Sequence, residues 1–264
     1  MKRIELIGPA GVGKSTLYNS LLKIRKSSSQ WLTTKEANFN IVSHLLSSRK
    51  KMSSLLYKPQ LHVPLITGFI NRSILKNEYK VAIYERDKEW REFIYSVLQF
   101  KLEDESESVK ILYRYNWLLS RLEEAALLEK YFPDNVVIID ESICQKIWPL
   151  ILPLPSNSIN EAGNSLYRIC PTPNGIIHIT CSPDVIFSRL KNREANKDHW
   201  MIGFKGLSDK SLYEQIEKSI QLTEICSKVM RERGVSILEI DAELNKDEQV
   251  KKVNSFIHSF VNRR

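Results

Sequence analysis

The sequence predicts an α/β fold with a doubly wound parallel sheet of about five strands. A glycine-rich loop near the N-terminus lies between an apolar stretch and an amphipathic stretch, which is typical of a buried strand that turns into a helix. Farther along, short apolar runs alternate with segments of helical periodicity. Parallel strands joined by helical crossovers produce this alternation. The 264 residues suffice for one such domain with a helical insertion.

The strands are predicted where short runs of β-branched, aliphatic or aromatic residues stand next to turn residues. The third run contains four consecutive aliphatic residues, as expected for a parallel strand that is buried on both faces. The five runs cover residues 3–7, 31–35, 135–141, 175–180 and 235–241.

The helices are predicted from periodicity and from the residues at their ends. Pro183 suits a first helical turn, and Gly234 suits the position just after a last turn. At least one end is predicted for each of four helices. The first follows the loop to about residue 26, the second starts at Pro183, and the other two cover residues 208–233 and 247–261.

Two longer segments complete a single predicted domain over residues 1–264. Residues 38–131 show mostly helical periodicity and no clear strand. We interpret this block as a helical insertion that shapes the site of a second substrate. Residues 189–208 are predicted to form a lid, because helix formers give way to glycine and other breakers there.

Residues 8–15 match G-x-x-x-x-G-K-[ST], the Walker A motif of the P-loop NTPase fold. The glycines let successive backbone N–H groups face phosphate oxygens, and the following helix adds the positive end of its dipole. Lys14 is expected to reach the β- and γ-phosphates, and Ser15 to ligate Mg²⁺. We predict Mg²⁺ and ATP rather than GTP, since no motif selects guanine. The candidate cofactor-binding residues are Gly8, Pro9, Ala10, Gly11, Val12, Gly13, Lys14, Ser15 and Thr16.

Composition narrows the class of protein. Hydrophobic residues make up 42% and charged residues 27% of the chain, a balance typical of globular rather than disordered proteins. No apolar run is long enough for a membrane span, and the first strand starts without a signal peptide, so we expect a cytoplasmic protein. The four cysteines form no C-x-x-C pair, which indicates buried side chains rather than zinc ligands or disulfides.

The net charge of +8 favours an anionic partner. The basic residues are spread along the chain and are not interleaved with aromatic residues, so nucleic acid is an alternative and not the favoured partner. We expect ATP and an unidentified small-molecule acceptor as the partners. An exposed face of the helical block would support a homodimer.

Several positions beyond the loop resemble one family. A predicted strand ends at Asp140, the segment 176–193 contains Pro-Asp-x₄-Arg-x₃-Arg, and the last strand ends in Ile-Asp-Ala. With the loop, this order resembles the thymidylate kinase and deoxynucleoside kinase branch of the P-loop kinases, and the similarity covers residues 1–37, 115–145 and 174–260. The resemblance implies an ATP-dependent phosphotransferase. The chain departs from it at Asp140-Glu141-Ser142, where those kinases carry Asp-Arg or Glu-Arg-Ser.

The candidate catalytic residues begin with cations, because phosphoryl transfer needs positive charge where negative charge develops. Lys14 is one, and the resemblance implies that Arg189 and Arg193 are two more. The two arginines are four residues apart and share a helical face; solvated surface charges are the alternative. Asp140 is expected to hold Mg²⁺ with Ser15, or else to cap the next helix.

The acceptor side has four candidates. Glu141 is the alternative to Asp140, because neighbouring side chains of a strand point to opposite faces. Glu36, predicted at the end of the second strand, resembles the general base of deoxynucleoside kinases; a surface glutamate is the alternative. Arg114 and Arg121 precede the Asp140 strand, where related kinases bind the acceptor, and a surface ion pair of Arg121 is the alternative.

Three functions are compatible with these features. A small-molecule kinase with a nucleoside, nucleotide or sugar-like acceptor is favoured by the loop together with the lid arginines. A regulatory ATPase is the second, because an Asp-Glu pair after an apolar strand also matches the pattern in which a glutamate activates water. A polynucleotide kinase is the third, suggested by the net charge.

Overall fold

Five parallel strands form one sheet in the order β2-β3-β1-β4-β5. The computed structural model describes residues 1–25, 31–48, 75, 78–83, 85–86, 88–99, 108–141, 143–195 and 206–262. The strands are β1 Lys2–Ile7, β2 Trp31–Thr33, β3 Val136–Asp140, β4 Gly175–Thr180 and β5 Ser236–Asp241. Helices among the described residues include α1 Lys14–Ile24, α2 Thr34–Ser48, α3 Lys88–Gln99, α4 Ser108–Tyr131, α5 Ile143–Lys146, α6 Trp148–Ile151, α7 Ile159–Ile169, α8 Pro183–Ala195, α9 Asp209–Glu232 and α10 Lys246–Val261.

Helices cover both faces of the sheet, which confirms the predicted doubly wound α/β class. On one face, Leu21 of α1 and Ile257 of α10 belong to the same buried cluster as Ile138 of β3. The neighbouring Val137 belongs to the cluster on the opposite face, together with residues of α2, α4, α7 and α9. Because both faces of β3 are covered, its residues form a continuous apolar run.

The sheet places the glycine-rich loop and the end of β3 side by side. β1 is central, with β3 hydrogen-bonded on one side and β4 on the other. Leu6 of β1 lies opposite Asp140 of β3. The loop that follows β1 therefore emerges beside the carboxyl end of β3, and crevices of this kind are where open α/β sheets bind ligands.

The second strand is shorter than predicted, and the difference moves Glu36. β2 ends at Thr33, so Glu36 lies in the first turn of α2 and not at a strand end. The cause is a capping box: the Thr33 hydroxyl accepts a hydrogen bond from the Glu36 N–H at 3.1 Å, and the Glu36 carboxylate accepts one from the Thr33 N–H at 2.9 Å. The T-x-x-E spacing starts the helix here.

The predicted helical insertion and the predicted lid are described only in part. The described residues of the block 38–131 are mostly helical and include no strand. Much of that block, and residues 196–205 of the predicted lid, lie outside the described residues. The helices α5, α6 and α7 were not predicted, because prolines and turn residues dominate the sequence between β3 and β4.

Two further observations concern the burial of the cysteines and the apolar length of the helices. Cys144, Cys170 and Cys226 are free and fully buried, as predicted, whereas Cys181 is partly exposed. No helix among the described residues is long and apolar enough to cross a membrane.

The capping box gives a stability prediction. Thr33→Val removes the hydroxyl but keeps the branched shape, and we expect it to lower the free energy of unfolding by about 1 kcal/mol because an N-terminal helix cap is lost. Urea unfolding followed by circular dichroism measures this. Thr34→Val, one residue later, is the matched control and should have a smaller effect; equal losses for the two variants would contradict the capping role.

Candidate functional site

The glycine-rich loop has the backbone shape that its motif predicts. Gly13 is the N-cap of α1 and has a φ of 113°, in the left-handed region that favours glycine. At Gly8 an added Cβ would lie 2.7 Å from the carbonyl oxygen of Ile179 in β4. The loop can therefore pass this close to the sheet only because position 8 has no side chain.

Lys14 is the charged centre of the site. Its side chain is 7% exposed, and its Nζ donates hydrogen bonds to the carbonyl oxygens of Gly8 at 2.5 Å and Pro9 at 3.1 Å. Burial lowers the pKa of Lys14 to about 8, against the opposing effect of the Glu141 and Asp140 carboxylates. An ammonium with these surroundings is available to phosphate oxygens that enter the loop.

Asp140 has the features of a Mg²⁺ ligand. Its Oδ1 is buried and has no hydrogen-bond partner among the described residues. Burial raises the pKa of Asp140, Glu141 raises it further, and Lys14, Lys146 and a hydrogen bond with Ser15 oppose the rise. The described residues contain no cluster of three His, Cys, Asp or Glu ligands. A hydroxyl and one carboxylate nevertheless suit Mg²⁺, which keeps several waters and takes substrate phosphates as ligands.

Glu141 also faces the site, contrary to the expectation that only one of the two carboxylates would. Its φ is 58°, so the chain leaves the strand there and the alternation of side chains ends. Its Oε2 lies 2.5 Å from the Nζ of Lys146. Burial would raise the pKa of Glu141, but Lys146, Lys14 and Arg121 together outweigh burial and lower it. The carboxylate therefore stays ionised. Such a left-handed backbone is often found at functional sites.

A cavity of about 130 Å³ opens beside the loop. It combines cations, one carboxylate, an amide and apolar walls, so it offers partners to both charged and apolar parts of a ligand. Its lining residues are Ala10, Gly11, Gly13, Lys14, Ser15, Trp117, Glu141, Gln145, Lys146, Trp148, Pro149, Leu152, Arg193 and Ser219.

The sequence analysis missed seven of these lining residues, among them Gln145, Lys146, Trp117 and Trp148. Gln145 accepts a hydrogen bond from the Gly8 N–H at 3.2 Å. The Nζ of Lys146 lies 3.4 Å from the centroid of the Trp117 ring, a close cation–π contact. Trp148 is 4% exposed and forms the adjoining wall. Gln145, Lys146 and Trp148 lie on helices of four residues, which are too short to show helical periodicity in the sequence. Trp117 lies on the long helix α4, where the sequence does not distinguish it from the other apolar residues.

The structure separates the two lid arginines. The guanidinium of Arg189 donates hydrogen bonds to the carbonyl oxygens of Val12 at 2.9 Å and Ala242 at 3.3 Å. Arg189 therefore stabilises the loop through its backbone. Arg193, one turn later on α8, is exposed and lines the cavity with Lys14. Although they share a helix, only Arg193 is in a position to meet a ligand in the cavity.

The other predicted residues lie farther from the cavity. Glu36 forms an ion pair with Arg25 and also binds Thr33, and it is not a lining residue of the described cavity. Arg121 of α4 forms an ion pair with Glu124 at 2.7 Å, which is the alternative that the sequence analysis named for this residue. Its positive charge also helps to lower the pKa of Glu141. Arg114 is partly buried on the same helix and does not line the described cavity.

The comparisons with known proteins carry no argument about what this chain does. No protein-family model matches the sequence, and no curated protein matches it significantly. Among solved structures, the chain is similar to deoxyadenosine kinase from M. mycoides with bound dATP, with 14% sequence identity and a TM-score of 0.45 over 98% of this chain and 100% of that one. The account of the site therefore rests on its own geometry.

Glu36 gives a pH-dependent prediction. A hydrogen bond from Arg25 is the main reason that its pKa falls from 4.5 to about 2. The stabilisation from this ionised carboxylate is therefore full above about pH 4.5 and is lost as the pH falls toward 2. Because the side chain is 41% exposed, solvent screening limits the effect to under about 1 kcal/mol.

The measurement compares urea unfolding of the wild type and Glu36→Gln between pH 7 and pH 3. Glutamine keeps the capping box and loses only the ion pair. The difference between the two proteins should shrink below about pH 4.5. Glu224→Gln, which removes an exposed carboxylate on α9, is the control; a Glu36→Gln difference that is constant with pH would contradict the account.

Proposed function

We propose that the chain is an ATP-dependent phosphotransferase that moves the γ-phosphate of Mg·ATP to a hydroxyl of a small acceptor. One observation carries the proposal: Lys14, Arg193 and Glu141 line the same cavity beside the phosphate-binding loop. The first two are suited to phosphate and the third to a hydroxyl. A site for binding or hydrolysis of nucleotide alone would not need the apolar walls around Trp117 and Trp148.

In this proposal the glycine-rich loop binds the phosphates of the nucleotide. The backbone N–H groups of the loop after Pro9 and the ammonium of Lys14 would bind the β- and γ-phosphates. Ser15 and Asp140 would hold Mg²⁺, which would neutralise charge between the phosphates. Arg193 contacts the γ-phosphoryl oxygens, where charge develops during transfer, and Arg189 holds the loop in shape.

In this proposal Glu141 is the general base that accepts the proton of the acceptor hydroxyl. The oxygen of the acceptor hydroxyl attacks the γ-phosphorus, the bond from that phosphorus to the bridging oxygen of ADP breaks, and the hydroxyl proton passes to the Glu141 carboxylate. Glu36 is less suited to this role, since Arg25 and Thr33 occupy its carboxylate and its pKa is about 2. Arg121 supports the ionised state of Glu141.

A regulatory ATPase is the second candidate, and the position of Glu141 favours it too. A carboxylate beside the phosphate-binding loop could activate water as well as a hydroxyl. The two functions differ in their dependence on an acceptor, because a kinase transfers phosphate slowly until its acceptor fills the cavity and excludes water.

The deciding experiment measures ADP release from Mg·ATP, alone and with nucleosides, nucleoside monophosphates, sugars or an oligonucleotide with a free 5′-hydroxyl. We expect one compound to stimulate release and to carry the recovered phosphate. Hydrolysis that is indifferent to every compound would contradict the kinase and support the ATPase. Stimulation by the oligonucleotide alone would support the polynucleotide kinase.

Glu141→Gln tests the acceptor side directly. We expect it to lower kcat by about 10²- to 10⁴-fold, the range for loss of a general base, with little change in KM for ATP. Glu239→Gln removes an exposed carboxylate on β5 and should leave kcat unchanged. An unchanged kcat in Glu141→Gln would exclude Glu141 as the base.

A further inference from the structure

Glu5 lies in the middle of β1, and its side chain is fully buried. Its Oε1 lies 2.9 Å from the Nε of Arg3. Its Oε2 accepts a hydrogen bond from the N–H of Cys144, the second residue of α5, at 3.0 Å. The carboxylate therefore connects the central strand β1 to the start of α5.

The two residues that follow Cys144 in α5 contact the candidate site. Gln145 accepts a hydrogen bond from the N–H of Gly8, the first residue of the phosphate-binding loop. Lys146 pairs with Glu141 and lies against Trp117. Two adjacent residues of α5 thus hold the loop and the acceptor carboxylate, and the residue before them is held by Glu5.

A helix of four residues does not hold its own position. Helix nucleation is unfavourable, so isolated short helices are marginal and depend on tertiary contacts. In α5 the N–H of Cys144 binds Glu5, and its carbonyl oxygen accepts a hydrogen bond from the Tyr167 hydroxyl at 3.2 Å. Both bonds come from outside the helix, so the position of α5 depends on β1 and α7.

Arg3 makes it possible for a carboxylate to be buried at this point. Its guanidinium also binds Glu129 at 2.7 Å and the carbonyl oxygen of Pro171 at 2.6 Å. Arg3 is thereby fixed from α4 and from the segment before β4. A buried carboxylate without such a partner would be strongly destabilising, so Glu5 is held from one side and holds α5 on the other.

We propose that Glu5 is a positioning residue for the phosphate-binding loop, acting through α5 and Gln145 on the N–H of Gly8. The proposal rests on the nucleotide-binding part of the proposed function and is independent of the acceptor. Nucleotide affinity should therefore depend on Glu5, although Glu5 does not line the described cavity.

The experiment is calorimetric titration of the folded chain with Mg·AMP-PNP, well below the melting temperature of each variant. Glu5→Met removes the carboxylate, and we expect affinity to fall about tenfold. Glu5→Gln keeps an oxygen for the Cys144 N–H and should restore affinity to within about threefold of the wild type. Glu129→Gln removes the other carboxylate on Arg3 without contacting α5; it should change stability and not affinity.

A double-mutant cycle tests the route. Gln145→Met removes the contact to Gly8, and we expect it to weaken binding as much as Glu5→Met does. In the Gln145→Met background, Glu5→Met should have little further effect, because both act on the same N–H. Additive losses of affinity would overturn the route through Gln145.

A second variant keeps the proposal testable if Glu5→Met does not fold. Glu5→Asp keeps a carboxylate beside Arg3 but is one methylene too short for the Cys144 N–H, and it should also weaken binding. Wild-type affinity in a folded Glu5→Met or Glu5→Asp protein would overturn the proposal and leave Glu5 a structural residue. Absence of binding in the wild type itself would instead overturn the proposed function, and with it this proposal.

Discussion

The ammonium of Lys14 is buried, and a buried charge must have oxygen partners. The loop supplies two carbonyl oxygens within hydrogen-bond distance, and the end of β3 supplies two carboxylates. These requirements fix much of the site. Gly8 must lack a side chain so that the loop stays close to the sheet, and β3 must lie beside β1 so that its terminal carboxylates reach the same point.

One wall of the cavity depends on α5, a helix of only four residues. The short helix α5 carries Gln145 and Lys146 to the cavity, and contacts from β1 and α7 hold it there. Lys146 also changes the electrostatics around the Asp140-Glu141 pair. An acidic pair alone would repel an anionic ligand, but Lys146 neutralises Glu141 and Lys14 faces both carboxylates.

Much of the fold could be predicted because its signals are local. The loop motif, the aliphatic run of β3 and the helix ends at Pro183 and Gly234 each depend on a few adjacent residues, and each appears in the structure. The capping box at residues 33–36 was equally local and was overlooked. The roles of Arg189 and Arg193 could not be separated by spacing, since only the packing of α8 against the loop directs one to backbone carbonyls and the other to the cavity.

The most direct test of this account is the affinity of Mg·AMP-PNP for the wild type and for Lys14→Met, with Lys23→Met, on the same helix, as the control of equal charge change. The account predicts a loss of at least about 100-fold in Lys14→Met, because a charge-assisted contact in a buried site is removed, and no loss in the control. Equal affinity of all three proteins would contradict the claim that the site is organised around the Lys14 ammonium.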